Sequence, residues 1–316
     1  MRTRIVTQPP KDNHPGKGFM SATPRISVII PIFRPSPALP RLLSGLASQR
    51  LYLDELEVRL ADHQGRLDYG LVEDWRGLLD PARLVVDIGP PGSCPRSRLA
   101  NRSLARSSGR TMLVLDPEDR LHPEALRRFD QALHQSASPA ALAVAHSLRL
   151  GPFAGLPGSL WRAPENPADK LDRCDGMGPR PAMSRTAWDA GLRYRSGCGL
   201  PAWDLGLQAR EAGLETVRVR KTLTTVVQDP PMFRDQDEER GRARLVTEHP
   251  GAFATAALAW ALAVLRREPW ALNTPGGRIP TPREVDRQRQ RQVRKDMRDK
   301  RDYPQELWDG LLSPAV

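Results

Sequence analysis

The sequence predicts an α/β protein built on a mostly parallel sheet flanked by helices. Across residues 25–125, short apolar runs alternate with helical stretches in the order β-α-β-α-β-α-β, the pattern of parallel strands joined by right-handed crossovers. The central runs are apolar at consecutive positions, as in strands buried on both faces. Polar and turn-forming residues gather where the runs end, the edge at which open parallel sheets take their ligands.

Arg25-Ile-Ser-Val-Ile-Ile-Pro31 is β-branched and closed by proline, and reads as the first strand, with Ile32-Phe-Arg-Pro-Ser-Pro as its loop. Leu39, Leu42, Leu43, Leu46 and Ala47 recur at helical spacing. Leu56-Glu-Val-Arg-Leu-Ala-Asp62 is the second strand, turning at His63-Gln-Gly-Arg. A helix over Leu71–Leu79 leads to a third strand at Arg83–Asp87; after the Gly89-Pro-Pro-Gly turn comes a helix over Ser97–Ser108. The fourth strand is the apolar run Met112–Leu115.

Asp116, Glu118 and Asp119 follow that run directly. Carboxylates crowded at a strand end repel one another unless a cation or a donor-rich ligand joins them. Magnesium or manganese, with oxygen ligands and a bridging diphosphate, suits such a group. Asp119 also fits a second role, capping a helix that starts near His122 with Pro123 in its first turn. The three strand ends Pro31/Phe33, Asp62 and Asp116/Glu118 would converge on one crevice and form a nucleotide pocket.

The chain of 316 residues is 39% hydrophobic, enough for a large core. No apolar run reaches the roughly 18 residues that mark a membrane span, and residues 1–24 form a polar N-terminal segment expected to be flexible, without the apolar stretch of a signal peptide. Cys94, Cys174 and Cys198 are scattered, with neither metal-type spacing nor a disulfide framework. Together these point to the cytoplasm. The net charge of +11 favours anionic partners. Nucleic acid is not among those expected, because only 5% of the residues are aromatic and no basic–aromatic recognition motif stands out.

Several segments resemble family-2 glycosyltransferases of the GT-A fold. Ile26-Ser-Val-Ile-Ile-Pro-Ile-Phe-Arg is similar to their opening "SVIIPxYN", and Glu57-Val-Arg-Leu-Ala-Asp-His-Gln-Gly to "EVIVVDDGS". Ala100-Asn-Arg-Ser-Leu-Ala-Arg-Ser-Ser-Gly resembles "RNxGLxxAxG", and Leu115-Asp-Pro-Glu-Asp-Arg-Leu-His-Pro-Glu-Ala-Leu resembles "LDADDxLxPxxL", which holds the DxD metal motif. Gly178–Leu192 resembles the acceptor-side "GxxxxFRRSAFxxVGGF", and Trp203–Gly213 the end of "EDWDLxLRLxxAG". The resemblance implies inverting transfer of a sugar from a UDP- or dTDP-type donor, assisted by Mn2+ or Mg2+. It implies that Asp62 reads the base, that Asp116 lies near ribose and metal, and that Glu118 or Asp119 holds the cation. Pro31, Phe33, Arg98 and Asn101 would lie on the nucleotide side. Asp229, where the family often carries a late histidine ligand, is either a further ligand or a turn residue before Pro230-Pro231.

The departures from the family pattern are specific. The second Asp of "DDGS" is His63, the arginine of "RN" is Ala100 with Arg96 and Arg98 close before it, and the second Asp of DxD is Glu118. Where the family places its acceptor-side "ED", this chain has Pro201-Ala202, and neither accepts a proton. A positioned base contributes about 10²–10⁴ in rate. Asp204, the nearest carboxylate, is either a replacement base or the cap of a helix over Leu205–Ala212. Asp175 is an alternative base, and an acceptor such as a thiolate would need little help. A catalytically impaired homologue, kept as a nucleotide-binding or scaffolding subunit, is the rival expectation. A nucleotidyltransferase would share the acidic strand ends but would show an early Gly-rich phosphate loop, which this sequence lacks.

These readings divide the chain into a GT-A domain over 25–250, with a nucleotide half (25–125) and an acceptor half (126–250), and a helical, charge-rich extension over 251–316. The acceptor could be a glycan, a peptide, a lipid carrier or a small natural product. In the extension, Ala252–Leu265 is an Ala/Leu-rich helix containing Trp260, followed by Arg266-Arg267. It is suited to packing on the domain, to pairing in a homodimer, or to peripheral contact with a membrane surface. Glu284–Asp302 reads as a solvated helix of mixed charge, and Tyr303, Leu307, Trp308, Leu311 and Leu312 as a small apolar patch.

Overall fold

A computed structural model describes residues 24–51, 55–65, 67–77, 79, 84–89, 95–150, 158–195, 199–227, 235–272 and 278–301. The N-terminal segment, the turn beyond Gly89, Cys94, Cys198, the Gln228-Asp229 pair and the Tyr303–Leu312 patch lie outside them.

Aliphatic-rich runs make β1 (Ile26–Ile32) and β2 (Leu56–Asp62), both buried along their whole length. Between them lies α1 (Leu39–Ala47), which buries its leucine face. The chain continues through α2 (Tyr69–Arg76), β3 (Leu84–Ile88), α3 (Arg96–Arg106), β4 (Thr111–Val114), β5 (Arg120–Leu121) and α4 (Ala125–His134). The second half holds β6 (Ala141–Leu150), β7 (Ser159–Trp161), β8 (Ala182–Ser184), α5 (Arg185–Asp189), α6 (Pro201–Glu211) and β9 (Glu215–Val227). Three helices follow: α7 (Asp235–Glu248), α8 (Thr255–Leu265) and α9 (Pro282–Arg301).

Among the described residues the sheet runs β3-β2-β1-β4-β8-β6-β9-β5, with β7 pairing β6. Strands β3, β2, β1 and β4 are mutually parallel, as expected from their crossover helices. β8 enters antiparallel to β4 and β6, so the sheet becomes mixed beyond β4. Successive side chains of β1 feed opposite faces. Ile26, Val28 and Ile30 pack in the cluster that includes α1 and α4. Ile29 points to the other, which unites α3 with α6, α7 and α8 through Trp203, Leu245 and Trp260. Helix α8 therefore packs on the same core as α6, and Trp260 Nε1 donates to Ala271 O (3.1 Å). Among the described residues no helix is long and apolar enough to cross a membrane.

Two helix starts decide the expected capping roles of Asp119 and Asp204. Helix α4 starts at Ala125 behind Glu124, because the residues after Asp119 form β5 and pair with β9. Asp119 does not cap that helix. Helix α6 starts at Pro201, whose fixed φ and missing N–H suit a first turn. Asp204 consequently sits inside the first turn of α6 and does not cap it.

Polar side chains between sheet and helix are tied into closed networks. Arg59 donates through Nε and Nη2 to the two oxygens of Asp87 (2.9 Å each) and through Nη1 to Glu57 (2.6 Å), while Ser103 on α3 completes Asp87 (2.7 Å). At the start of β4, Gly109 N–H donates to Ser27 Oγ (2.8 Å), and a Cβ there would stand 2.5 Å from the Ser27 backbone nitrogen. Gly109→Ala is therefore expected to push β4 off β1 and cost about 1–3 kcal/mol. Chemical unfolding checks this, and an unchanged midpoint would contradict it.

Candidate functional site

The parallel register brings the strand ends together. Asp62 stands opposite Ile32, while Val114 stands opposite Ile29 and Leu115 N–H donates to Ile29 O (3.0 Å). Asp116 therefore leaves the sheet beside Pro31, and the two acids flank β1 on one edge, two strand spacings or roughly 10 Å apart. Asp62 is buried, and the Tyr69 hydroxyl donates to its Oδ2 (3.4 Å). Phe33 packs on Ala61 and Leu99, with its ring 4.9 Å from that of His63.

Beyond β4 the chain turns at once, and Asp119 makes the turn. Its N–H donates to Asp116 O (3.0 Å), and its Oδ2 accepts from the Asp116 N–H (2.7 Å). The same carboxylate, 1% exposed, receives the guanidinium of Arg180 through Nε and through Nη2 (3.1 Å to Oδ1). Arg180 Nη2 also donates to Asp116 Oδ2, and Nη1 to Pro179 O (2.9 Å). Arg96, the first residue of α3, donates to the other oxygen of Asp116. Glu118 accepts from Ser36 Oγ (3.0 Å).

Arg180 is delivered by a stiff loop. It stands between Pro179 and Pro181, and the preceding turn is closed by Asp175 Oδ1, which accepts from Met177 N–H (2.9 Å) and Gly178 N–H (3.1 Å). Gly178 has φ +66°, and Trp161 occupies the space that a side chain would need. Burial pushes the Asp175 carboxyl up to about 6, against the pull of those backbone donors and of Arg149.

A cleft of about 310 Å³ opens between the N-terminal ends of α3 and α6, lined by Arg96, Ala100, Val114, Arg180, Tyr194, Arg195, Pro201 and Ala202 among others. Asn101, expected on the nucleotide side, instead clamps the backbone of Tyr194: Nδ2 donates to its carbonyl (2.8 Å) and Oδ1 accepts from its N–H (3.1 Å). Burial pushes the Tyr194 phenol up to about 12. Arg98 is exposed on α3 and is not among the cleft-lining residues.

Asp204 lies behind the cleft wall and is 0% exposed. Arg195 donates to both of its oxygens (3.0 Å each from Nε), Gln208 Nε2 donates to Oδ2 (2.6 Å), and His249 Nε2 stands 2.9 Å from Oδ1. His249 Nδ1 stands 2.7 Å from Glu211 Oε1. Burial alone would lower the His249 pKa, but the carboxylates of Asp204 and Glu211 outweigh it and raise it. Burial likewise opposes the charge on Asp204, yet His249 and Arg195 hold its pKa below the usual carboxylate range. A carboxylate so enclosed anchors Arg195 and joins α6 to the end of α7.

The donor set does not fit a divalent cation. Hard cations take several converging oxygens, whereas all four carboxylate oxygens of Asp116 and Asp119 already receive guanidinium N–H groups. Among the described residues no three His, Cys, Asp or Glu side chains are placed to share a metal ion. The guanidinium of Arg180 takes the position expected for the cation between Asp116 and Asp119. Displacing one partner of such a buried pair costs about 3–5 kcal/mol.

Solved structures share this architecture. Staphylococcus aureus TarS superposes with a TM-score of 0.54 and 17% identity over 77% of this chain and 43% of TarS. Over that stretch the fold is similar to that of TarS. Residues 1–349 of TarS in complex with UDP align over 79% of this chain and 72% of that one, at 17% identity and TM-score 0.54. The same TarS fragment with UDP-GlcNAc aligns over 71% of this chain and 66% of that one, at 16% identity and TM-score 0.54. This chain thus spans less than half the length of TarS in its longer form. No protein-family model and no curated protein matches the sequence.

Two stability tests follow from these environments. Asp175 has a raised pKa when folded, so its contribution is fully present below its unfolded value near 4 and is lost as pH rises through about 6. Asp175→Asn keeps the acceptor oxygen without the charge. It should melt with the wild type at pH 4 and above it at pH 7.5; a variant that melts lower at both would contradict this. His249 also has a raised folded pKa, so its ionic stabilisation is present below the unfolded value near 6.5 and fades at alkaline pH. His249→Leu should cost about 3 kcal/mol at pH 6 and distinctly less at pH 9. Equal losses at the two pH values would contradict the charged pairing.

Proposed function

We propose that the chain binds a nucleoside-diphosphate sugar of the UDP or dTDP type along the carboxyl edge of β1, β2 and β4, and transfers its sugar to an acceptor seated in the adjoining cleft. The observation that carries this reading is the register that sets Asp62 and Asp116 on either side of β1, with a pair of arginines beside them. The TarS structures solved with UDP and UDP-GlcNAc support it through the shared fold. In this arrangement Asp62 meets the base, Phe33 packs near it, and Asp116 lies on the ribose side.

The transfer breaks the bond between the anomeric carbon and the diphosphate oxygen, and its electron pair leaves with the diphosphate. A lone pair of the acceptor forms the new bond from the opposite face, with inversion, and the acceptor proton passes to solvent or to a base. Among the described residues no carboxylate or histidine lines the cleft, and Asp204 is sealed behind Arg195 and His249. Transfer on this scaffold therefore suits an acceptor that is already a strong nucleophile, such as a thiolate. With a hydroxyl acceptor, the missing base costs about 10²–10⁴ in rate.

The Pro201-Ala202 wall favours a second reading, a homologue that binds the nucleotide sugar and holds it without turnover. Mass spectrometry of UDP- and dTDP-sugars incubated with the full chain and hydroxyl and thiol acceptors separates the two. Transfer should be seen with thiols ahead of hydroxyls, and Asp62→Asn should weaken UDP binding by about tenfold, or some 1.4 kcal/mol. Binding without any product would establish the second reading, and no nucleotide binding at all would remove both.

A further inference from the structure

The carboxylates at the end of β4 are already neutralised by the protein. Arg96 and Arg180 set two positive charges against the two negative charges of Asp116 and Asp119. The members of this cluster are held unequally. Asp119 is locked by the backbone of its own turn and grips Arg180 through both oxygens, so that unit is fixed. Arg96 reaches the cluster through a single nitrogen, its side chain is 47% exposed, and it stands at the cleft. Asp116 is the more exposed of the two acids, with 23% of its side chain open.

A guanidinium presents the same planar fork to a carboxylate and to a phosphate. An arriving diphosphate can therefore take over the contact between Arg96 and Asp116, one anion replacing another, while Arg180 stays anchored on Asp119. A divalent cation at the same place would have to share a few ångströms with the Arg180 guanidinium. Like charges at that separation repel. Arg96 is the first residue of α3, and the positive end of a helix dipole favours an anion near it.

Building on the nucleotide-sugar reading, we infer that Arg96 and Arg180 supply the counter-charge for the donor diphosphate in place of a divalent cation. When the anomeric bond breaks, the electron pair arriving on the diphosphate meets the guanidinium groups of Arg96 and Arg180, which stabilise the leaving group. Asp116 and Asp119 hold those groups in position before the donor arrives.

Calorimetry of UDP, dTDP and GDP with the full chain, in EDTA and in Mn2+, tests this. At least one nucleotide should bind in EDTA with an affinity within about threefold of that in Mn2+, and Arg96→Gln should lose about tenfold in both buffers. Arg96→Lys, which keeps the charge but not the fork, should fall between. Arg180→Gln uncovers Asp116 and Asp119, so it should acquire binding of Mn2+ alone, read by electron paramagnetic resonance, that the wild type lacks. Should Arg180→Gln fail to fold, as judged by circular dichroism, the half-exposed Arg96 variants still decide the matter. Binding that is tenfold or more tighter in Mn2+, or unaltered in Arg96→Gln, would overturn the arginine assignment and leave the nucleotide reading intact. Absence of binding to every nucleotide in both buffers would overturn the two together.

Discussion

Arg180 lies across two carboxylates that would otherwise repel one another at the end of a buried strand. Its position depends on four separate pieces of the chain. β4 must run parallel to β1 to bring Asp116 to the edge, and the 116–119 turn must close on the Asp119 side chain. The Asp175 turn and the flanking Pro179 and Pro181 must stiffen the loop from the other side. The N-terminal end of α3 must set Arg96 beside Asp116. A surface ion pair would justify little of this, but a nearly closed one makes each element answerable to the others.

The far wall of the cleft is organised by a second group of polar contacts. Asn101 grips the Tyr194 backbone, and Arg195, one residue on, is anchored by Asp204, which His249 also holds from the end of α7. The three C-terminal helices thus do more than append mass. Leu245, Val246, Trp260 and Val264 share one apolar cluster with Trp203 and Leu205 of α6, the helix that carries Pro201 and Ala202 into the cleft wall. The shape of that wall is set from both directions.

Much of residues 25–125 could be read from periodicity. The aliphatic positions of Ile26–Ile32, Leu56–Asp62 and Met112–Leu115 mark them as strands, and the crossover helices between them make them parallel neighbours, with Glu57 and Arg59 of the second buried as an ion pair. Asp62 and Asp116 reached one edge for the same reason. The charge state of the site was harder to see. Asp116, Glu118 and Asp119 read as an acidic cluster because their partners are remote in sequence; Arg180 is 61 positions from Asp119. An arginine between two prolines was the available signal, since two fixed φ angles deliver a side chain at low entropic cost. Asp204 was misplaced as a cap because Pro201 opens α6 a turn early, and its partner His249 lies 45 positions further on.

The central claim is that strand ends bearing acids and arginines form one diphosphate site with its own counter-charge. The most direct measurement is a crystal structure of the full chain with UDP, grown with manganese and recorded for anomalous scattering. The account predicts the diphosphate within hydrogen-bonding distance of Arg96 and Arg180, with no manganese peak between Asp116 and Asp119. A manganese ion bridging those carboxylates to the diphosphate, with Arg180 swung away, would contradict it.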